Sequence, residues 1–387
     1  MLFPFLHLKN KSKSFAVFSI DSGSLTLTIL EKINKKGIHI SYVRKVSLES
    51  DKVTSPSDLL RLIKVNLNKI FTEVVKQKVF ITLKHSTEII VLIGSPWHVG
   101  WNDKVVIDKD KQFTVTHKLI DGAVRESFIK MHKDLSITNI SVMNYKLNGY
   151  NIPDPINKIT KSMDLNIYIS SAPTLFIDEI TNTIKYHLPH NKLSFMSLNG
   201  AVDTAIGSNS SEKDYLIIIP ESKTTEIVLV RNRVIQNEAS IPFGGEVLAR
   251  NLFGDKSFSI QESISKAKRF IDGDLDVSDL DKVGQVLDKS KKDFLNDFRN
   301  VLWKMNDSTL IPSVVFVVGR NIASHFILDW LNKETYSSET YTIEGFKIIN
   351  IRGSDLVNFG LSKNMKSKKN IPLSVAVSFK IVDNINV

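Results

Sequence analysis

Residues 15–30 read FAVFSIDSGSLTLTIL. The first six form a short apolar run, the pattern of a strand buried on both faces. Residues 25–30 alternate Leu with Thr or Ile, the period-two pattern of a second strand. Asp21-Ser22-Gly23-Ser24 turns the chain between them. Lys35-Lys36-Gly37 supplies another turn, and 38–48 reads as a third strand, so the opening is a β-meander with a polar first corner. Taken alone, Asp-Ser-Gly-Ser is an ordinary Asp/Gly turn. The same turn can also offer backbone N–H groups to a phosphate, and Asp21 to Mg²⁺ through water. What surrounds it decides between these readings.

Downstream, 57–75 carries apolar residues at helical spacing behind a capping Ser57. Residues 79–83 and 88–93 read as strands. Residues 95–172 change character: a short strand at 113–116, a helix at 119–131, then strands at 137–147 and 163–170 separated by Asn148-Gly149 and Pro153-Asp154-Pro155. That order describes a small α+β module inserted into the first domain. A helix at 175–188, a strand at 193–198 and a helix at 201–206 follow. The opening pattern then returns: strand 215–219, polar turn 220–223, strand 225–230, turn Arg231-Asn232, strand 234–241. Two meanders in one chain point to a duplicated fold. Gly244-Gly245 precedes a helical stretch, with helices at 259–271 and 287–305, a buried strand at 313–318 ending on Gly319, a helix at 324–332 and a last strand at 346–351.

The chain has 387 residues, more than one compact core usually holds, so two lobes or three to four subdomains are expected. It contains no cysteine, which removes disulfides, thiolate metal sites and cysteine nucleophiles. The net charge of +10 is spread along the chain without a run of five basic residues. The clustered basic face with aromatics that nucleic-acid binding requires is missing, so no nucleic-acid partner is expected. The densest patch is Lys363, Lys366, Lys368 and Lys369, read as a loop. No segment reaches the roughly 18 apolar residues of a membrane span. The apolar start, 1–8, followed by Lys9, Lys11 and Lys13, is either a tail or a segment that dips into a membrane surface. His187 and His190 flank Leu188-Pro189 with no third ligand at metal spacing and read as a surface turn. No Ser-His-Asp or paired-carboxylate arrangement can be argued from spacing.

Taken in order, these motifs resemble the actin/Hsp70/hexokinase superfamily, and within it the FtsA/PilM type. FTVTHKLIDGAVRESF (113–128) looks like the strand and helix opening the module called SHS2 or subdomain 1C. NISVMNYKLNGYNIPDPINK (139–158) resembles its next strand and turn. TTEIVLVRNRVIQNEASIPFGGEVL (224–248) resembles the second phosphate region and the strand leading to a Pro-x-Gly-Gly turn. The resemblance implies an α/β, actin-like (ribonuclease H-like) duplicated two-lobe fold with a small α+β insertion. The first lobe would be 14–94 plus 173–207, the inserted module 95–172, and the second lobe 208–387, with 246–308 as its helical subdomain. It implies an ATP site with Mg²⁺ held through Asp21, and nucleotide contacts from Asp21, Gly23, Ser24, Thr224, Thr225, Gly244, Gly245, Glu262 and Gly319.

The departures weaken that site. Where the family reads Asp-x-Gly-Gly-Gly-Thr-Thr-Asp, this chain reads Ile219-Pro220-Glu221-Ser222-Lys223-Thr224-Thr225-Glu226. The first Asp is Ile219, all three glycines are gone, and Glu221 brings negative charge toward the place of a γ-phosphate, with Lys223 beside it. Phosphoryl transfer rests on positioning and charge neutralisation, so hydrolysis is not expected, and weak nucleotide binding through Asp21, Gly23, Ser24, Gly244, Gly245 and Gly319 stays open. In the adenosine region, Val317-Val318-Gly319-Arg320 keeps one glycine of a pair. The implied role is an adaptor, cytoplasmic and peripheral at the inner face of the cell membrane. It would serve cell division (FtsA-like) or the type IV pilus (PilM-like). Its partner would be a membrane protein's cytoplasmic tail or a division-ring protein, with self-association through 95–172. SFKIVDNINV (378–387) shows no amphipathic helix like that of FtsA, which favours the PilM-like role or a different membrane tether. The competing class is an active ATPase or sugar kinase, whose mark would be an Asp at position 219. Trp97 and Trp101, around Gly100, read as an exposed aromatic loop that either contacts a partner or caps the module's own core.

Overall fold

The computed structural model describes residues 13–33, 37–48, 55–77, 79–86, 88–132, 134–254, 258–274, 280–305, 310–319, 321–334, 336, 345–357 and 371–384. The apolar start 1–8 with Lys9 and Lys11, the Lys35-Lys36 turn, Arg320 and the Lys363–Lys369 patch lie outside them.

The opening meander is Lys13–Ile20 (β1), Ser24–Ile33 (β2) and Gly37–Ser47 (β3), paired antiparallel. Helix Pro56–Val75 (α1) starts on Ser55, whose side chain accepts from the Asp58 N–H, with Pro56 in its first turn. Its buried stripe, Leu59, Leu60, Ile63, Leu67, Ile70, Phe71 and Val74, follows the helical period and covers one face of the sheet. Residues Val79–Lys84 form a helix (α2), which corrects the expected strand at 79–83. The run Val-Phe-Ile-Thr-Leu has no clear period. As a helix it buries Leu83 and leaves Ile81 65% exposed, which a strand buried on both faces could not do. Glu88–Ile93 (β4) then pairs parallel with β1.

The region that changes character forms its own sheet. Val99–Thr114 (β5), helix His117–Met131 (α3), Leu135–Leu147 (β6), Tyr150–Ile152 (β7) and Ile159–Pro173 (β8) pair in the order β5-β8-β6-β7. Its core of Ile107, Val124, Phe128, Leu165 and Ile167 lies between the sheet and α3. Strand β5 is far longer than the stretch 113–116 expected from sequence. The charged residues Asp108 to Lys111 hide it, and the pairing register shifts across that same segment.

Helix Thr174–His187 (α4), strand Lys192–Ser197 (β9) and helix Leu198–Gly207 (α5) complete the first lobe, whose sheet runs β3-β2-β1-β4-β9. The second lobe repeats it. Tyr215–Pro220 (β10), Thr225–Arg231 (β11) and Val234–Ile241 (β12) form the second meander. Helices Gly245–Phe253 (α6), Ile260–Ile271 (α7) and Leu280–Met305 (α8) follow, then Val314–Val318 (β13), helix Ile322–Asn332 (α9) and Lys347–Ile351 (β14). The order β12-β11-β10-β13-β14 matches the first sheet position for position: three antiparallel strands, then two parallel ones. The duplicated two-lobe fold expected from the two meanders is therefore the fold observed.

A short helix, Gly353–Val357 (α10), leads toward Leu373–Asn384 (α11). This last helix was not legible in the sequence. It is apolar nearly all round because it is buried nearly all round: Val375, Ala376, Val377, Phe379, Ile381 and Val382 sit in the core shared by both lobes. That core joins Phe15, Val17 and Leu92 of the first sheet to Ile217, Ile219 and Phe316 of the second, with α5 between them. The Lys32 ammonium donates to the Val382 and Asp383 carbonyls, 3.3 and 3.0 Å away, and so caps the open end of α11 from β2.

Candidate functional site

Both meander turns point toward the junction of the lobes. In the β1–β2 turn, Asp21 Oδ1 accepts from the N–H groups of Gly23 (2.8 Å) and Ser24 (2.5 Å), and Oδ2 accepts from the Ser24 hydroxyl (2.7 Å). The carboxylate is largely spent on its own turn. In the β10–β11 turn, the Glu221 N–H donates to the Thr224 carbonyl at 2.8 Å. The carbonyls of Glu221 and Ser222 accept from Gly245 (2.9 Å) and Glu246 (2.7 Å), the first N–H groups of α6. A helix N-terminus is an anion site when its N–H groups are free, and here the neighbouring turn occupies these two. Asn321, the N-cap of α9, braces the turn further, donating to the Pro220 and Glu221 carbonyls at 2.6 and 3.2 Å.

The two turns touch. The Lys223 N–H donates to the Ser22 hydroxyl at 3.3 Å. A Cβ placed on Gly23 would overlap the Ser222 side chain, and one on Gly244 would lie 2.5 Å from the Ser222 carbonyl oxygen. These glycines permit close approach, and what approaches is the chain's own Ser222. The space where paired turns of this kind could clasp a phosphate is filled by protein, and the residues present do not fit a triphosphate with its metal.

Beside this contact lies a cavity of about 650 Å³ between the lobes. Asp21 and Gly319 line it, as do Glu221, Ser222, Asn321, Lys268 and His325. Gly319 has φ +125°, a conformation few other residues tolerate. The other residues singled out from sequence lie elsewhere. Ser24 serves the Asp21 turn. Thr225 is buried and donates to the Phe243 carbonyl at 2.5 Å. Thr224 closes the β10–β11 turn, and Gly245 abuts Asn321. Glu262 is fully exposed at the start of α7, where its carboxylate forms a capping box with Ser259. Among the described residues no group of three metal-ligating side chains is found.

The exposed aromatic loop expected at 97–101 is corrected. Trp97 is 6% exposed and stacks on Phe176 in the first-lobe core, with ring centroids 4.6 Å apart. Trp101 lies on β5, partly buried against Phe128 and His132. Large rings beside a glycine read as a loop, but β5 gives Trp101 a packed face, and Trp97, in the bend before β5, packs into the first-lobe core. His187 stacks on Phe71 and contacts Asn68, with no ligand geometry.

Sequence reasoning missed a buried charged contact between the module and the second lobe. His98 Nε2 lies 2.6 Å from Glu238 Oε2 of β12, each side chain 4% exposed. The two atoms are not aligned as a hydrogen bond, so attraction of charges dominates. Burial alone would lower the imidazole pKa. The charge and contact of Glu238, then the charge of Glu226, outweigh it and hold His98 above its ordinary value. No motif marks this pair: His98 and Glu238 are 140 positions apart.

The buried acids shift upward as well. Burial raises Glu226, although the Ser240 hydroxyl and His98 pull it down. Burial raises Glu221, and the charge of Asp21 and then of Glu226 adds to it. Burial raises Asp203 to about 6 against the bond it accepts from Tyr215 at 2.7 Å. In each case the folded chain binds protons more tightly than the unfolded one, so stability falls as pH rises. The carboxyl contributions are present below the ordinary carboxylate range and lost above it, through about pH 6 for Asp203. The His98 contribution holds below about pH 6.5 and is lost above that, through its raised value. Glu262 and Glu334 are shifted down and act oppositely, but only under acid conditions. The expected outcome is a Tm that declines from pH 5 to pH 8, Asp203 alone contributing on the order of 1 kcal/mol over that window. This is partly offset by His187, which burial shifts down and whose contribution grows as pH rises. A calorimetric Tm that is flat or rises over that range contradicts this ordering.

No protein-family profile matches the chain, and no curated protein matches it. Its fold is well represented among solved structures. The PilM–PilN type IV pilus biogenesis complex contains a chain matched with TM-score 0.61 at 9% identity, over 95% of this chain and 97% of that one. The ethanolamine utilization protein EutJ from Carboxydothermus hydrogenoformans matches with TM-score 0.42 at 10% identity, over 94% and 89%. The cytoplasmic domain of EpsL, an inner membrane component of the type II secretion system of Vibrio cholerae, matches with TM-score 0.38 at 7% identity, over 97% of each chain. The fold is thus that of the actin-like proteins. The chain superposes along nearly its whole length on the matched chain of the PilM–PilN complex, so the two share this fold. Among the described residues no helix is long and apolar enough to cross a membrane.

Proposed function

We propose that this chain is a non-catalytic actin-like adaptor for a membrane-associated assembly of the type IV pilus kind. It would be cytoplasmic, peripheral at the inner face of the membrane, and bound to the cytoplasmic tail of an integral membrane protein. The observation that carries the non-catalytic half is the direct contact of the two turns. Ser222 fills the space against Gly23, and Glu221 and Ser222 take the first N–H groups of α6. A nucleotide bridges lobes by placing phosphate between such turns; here side chains and α11 bridge them instead. The full-length likeness to a PilM–PilN complex supports the adaptor half. Partner binding then draws on surface grooves beside the module at 95–172, which is also the proposed surface for self-association. Peptides held there would gain affinity from backbone pairing and a few apolar anchors.

The expected result is that the purified chain releases phosphate from MgATP no faster than a buffer blank and shows no rise in Tm with ATP. A ligand bound at a hundred times its Kd would add about 2.7 kcal/mol. Steady Mg²⁺-dependent release abolished by Asp21→Ala would return the chain to the ATPase or sugar-kinase class. For the adaptor half, membrane-protein tail peptides encoded beside this chain's gene are titrated against it. If none binds, that half is lost.

A further inference from the structure

Glu221 follows β10 in the second turn, next to the Ser222 that fills the space against Gly23. It is 7% exposed and borders the cavity, yet both its carboxyl oxygens are closed off from solvent and lack a hydrogen-bond partner among the described residues. One oxygen stands 2.8 Å from where a Cβ would be on Gly94, the residue after β4. The Gly94 N–H in turn donates to the Ile20 carbonyl at the end of β1, 2.8 Å away. A side chain of the second lobe is thus seated in a niche of the first that only glycine leaves open. The groups around it decide its charge. Asp21 in the first turn and Glu226 on β11 are acids. On α6, which starts against the turn, Glu246 is paired with Arg250 at 3.4 Å. On α9, Asn321 spends its amide on the Pro220 and Glu221 carbonyls. Lys45, Lys268 and His325 stand in the cavity wall with Asp272, and none gives either Glu221 oxygen a partner. An ionised carboxyl in such a place is disfavoured, so Glu221 holds a proton there. Burial first, then the charges of Asp21 and Glu226, push it well above the ordinary carboxylate range.

We propose that Glu221 is a proton-operated lock between the lobes: protonated, it sits in the Gly94 niche and holds the two turns together; ionised, it leaves for the adjoining cavity and the turns part. The niche suits only the neutral acid. The cavity offers the carboxylate water and the ammonium groups of Lys45 and Lys268. The closed seam binds the proton more tightly than the open one, in which Glu221 regains an ordinary value. Opening therefore releases one proton and grows as pH rises. It grows about tenfold per pH unit from the ordinary carboxylate value up to the raised one, then levels off. The contact that stands where a phosphate would bridge the turns is then held by a proton. The inference rests on the reading of the turns as closed by protein. The His98–Glu238 pair also weakens with rising pH, so the lock has to be read through its own variants.

Amide hydrogen exchange of the full chain from pH 5 to pH 9, corrected for the base catalysis of exchange itself, tests this. Residues 20–24 and 221–224 report on the two turns, and α1, on the far face of the first sheet, reports on global unfolding. Protection of the turns is expected to fall about tenfold per pH unit before levelling, and to stay below that of α1 at every pH. Glu221→Gln, uncharged throughout, should lose that slope. Gly94→Ala crowds the niche and should leave the turns as open at pH 6 as those of the unmodified chain are at pH 9. A flat profile in the unmodified chain, turn protection equal to that of α1 throughout, or a slope retained in Glu221→Gln each overturns the lock. If Glu221→Gln does not fold, Gly94→Ala decides: turns as well protected at pH 6 as in the unmodified chain overturn it. These failures leave the adaptor reading standing. MgATP binding in a parallel titration would instead overturn the reading of the turns as closed, and the lock with it.

Discussion

A chain ending at Pro372, without α11, is expected not to fold. The helix buries Val375, Val377, Phe379, Ile381 and Val382 against both lobes, each 6% exposed or less. At about 1.5–3 kcal/mol for each buried side chain, their loss amounts to roughly 8–15 kcal/mol, an upper bound on the burial lost. The whole stability of a typical domain is about 5–15 kcal/mol. The single change Phe379→Ala isolates the effect: about 3–5 kcal/mol lost in chemical denaturation, from the missing contacts and the cavity left behind. A truncated chain that stays soluble with a cooperative melt would show that α11 is an accessory to the fold. A loss under about 1 kcal/mol for Phe379→Ala would say the same of its packing. This result bears on the proposed function, because α11 packs against both lobes and its first residues, Leu373 and Ser374, line the cavity beside the turns.

His98→Ala is expected to cost about 3–5 kcal/mol, the usual penalty for removing one partner of a buried pair. It leaves Glu238 at 4% exposure with Glu226 nearby and no cation to offset them. Adding Glu238→Gln should return part of that loss, because the stranded charge is then gone, and the double-mutant cycle reads the coupling directly. The sign with pH is set by the raised His98 pKa. The pair contributes fully below about pH 6.5 and fades above it, so the cost of His98→Ala should be largest near pH 5 and shrink toward pH 8. A cost that is small at both ends, or that grows with pH, would mean the contact is incidental. If the cost is as large as expected, the contact holds the β5–β8 sheet against β12, and the pose of that sheet on the second lobe is part of the folded state.

Much of the architecture was legible from local patterns. The apolar run at 15–20, the alternation at 25–30 and their return at 215–241 are short-range features that a strand or turn imposes on its own residues, and they carried the duplicated fold. The same holds for the stripe of α1, though not for its cap, which is Ser55 and not the Ser57 expected from sequence. Elements failed where the local pattern was ambiguous or masked. The run at 79–83 lacks a period, and β5 runs through Asp108-Lys109-Asp110-Lys111. Helix α11 is buried nearly all round, with Ser378 and Lys380 included, so it shows no amphipathic stripe.

The site divides along the same line. The loss of the family Asp at Ile219 and of the glycines at 221–223 could be read position by position, because a phosphate turn writes its requirement into adjacent residues. That Ser222 then fills the space against Gly23, that Glu221 is left unpaired against Gly94, and that His98 meets Glu238 across 140 residues could not. These contacts depend on how two lobes and a module come together, and nothing in the residues flanking either partner anticipates the other. The sequence by itself determined most of the elements and that the turn at 219–226 departs from the family pattern it resembles. Only the tertiary structure decided what fills the space between the two turns, because long-range packing sets which distant side chains share one desolvated space.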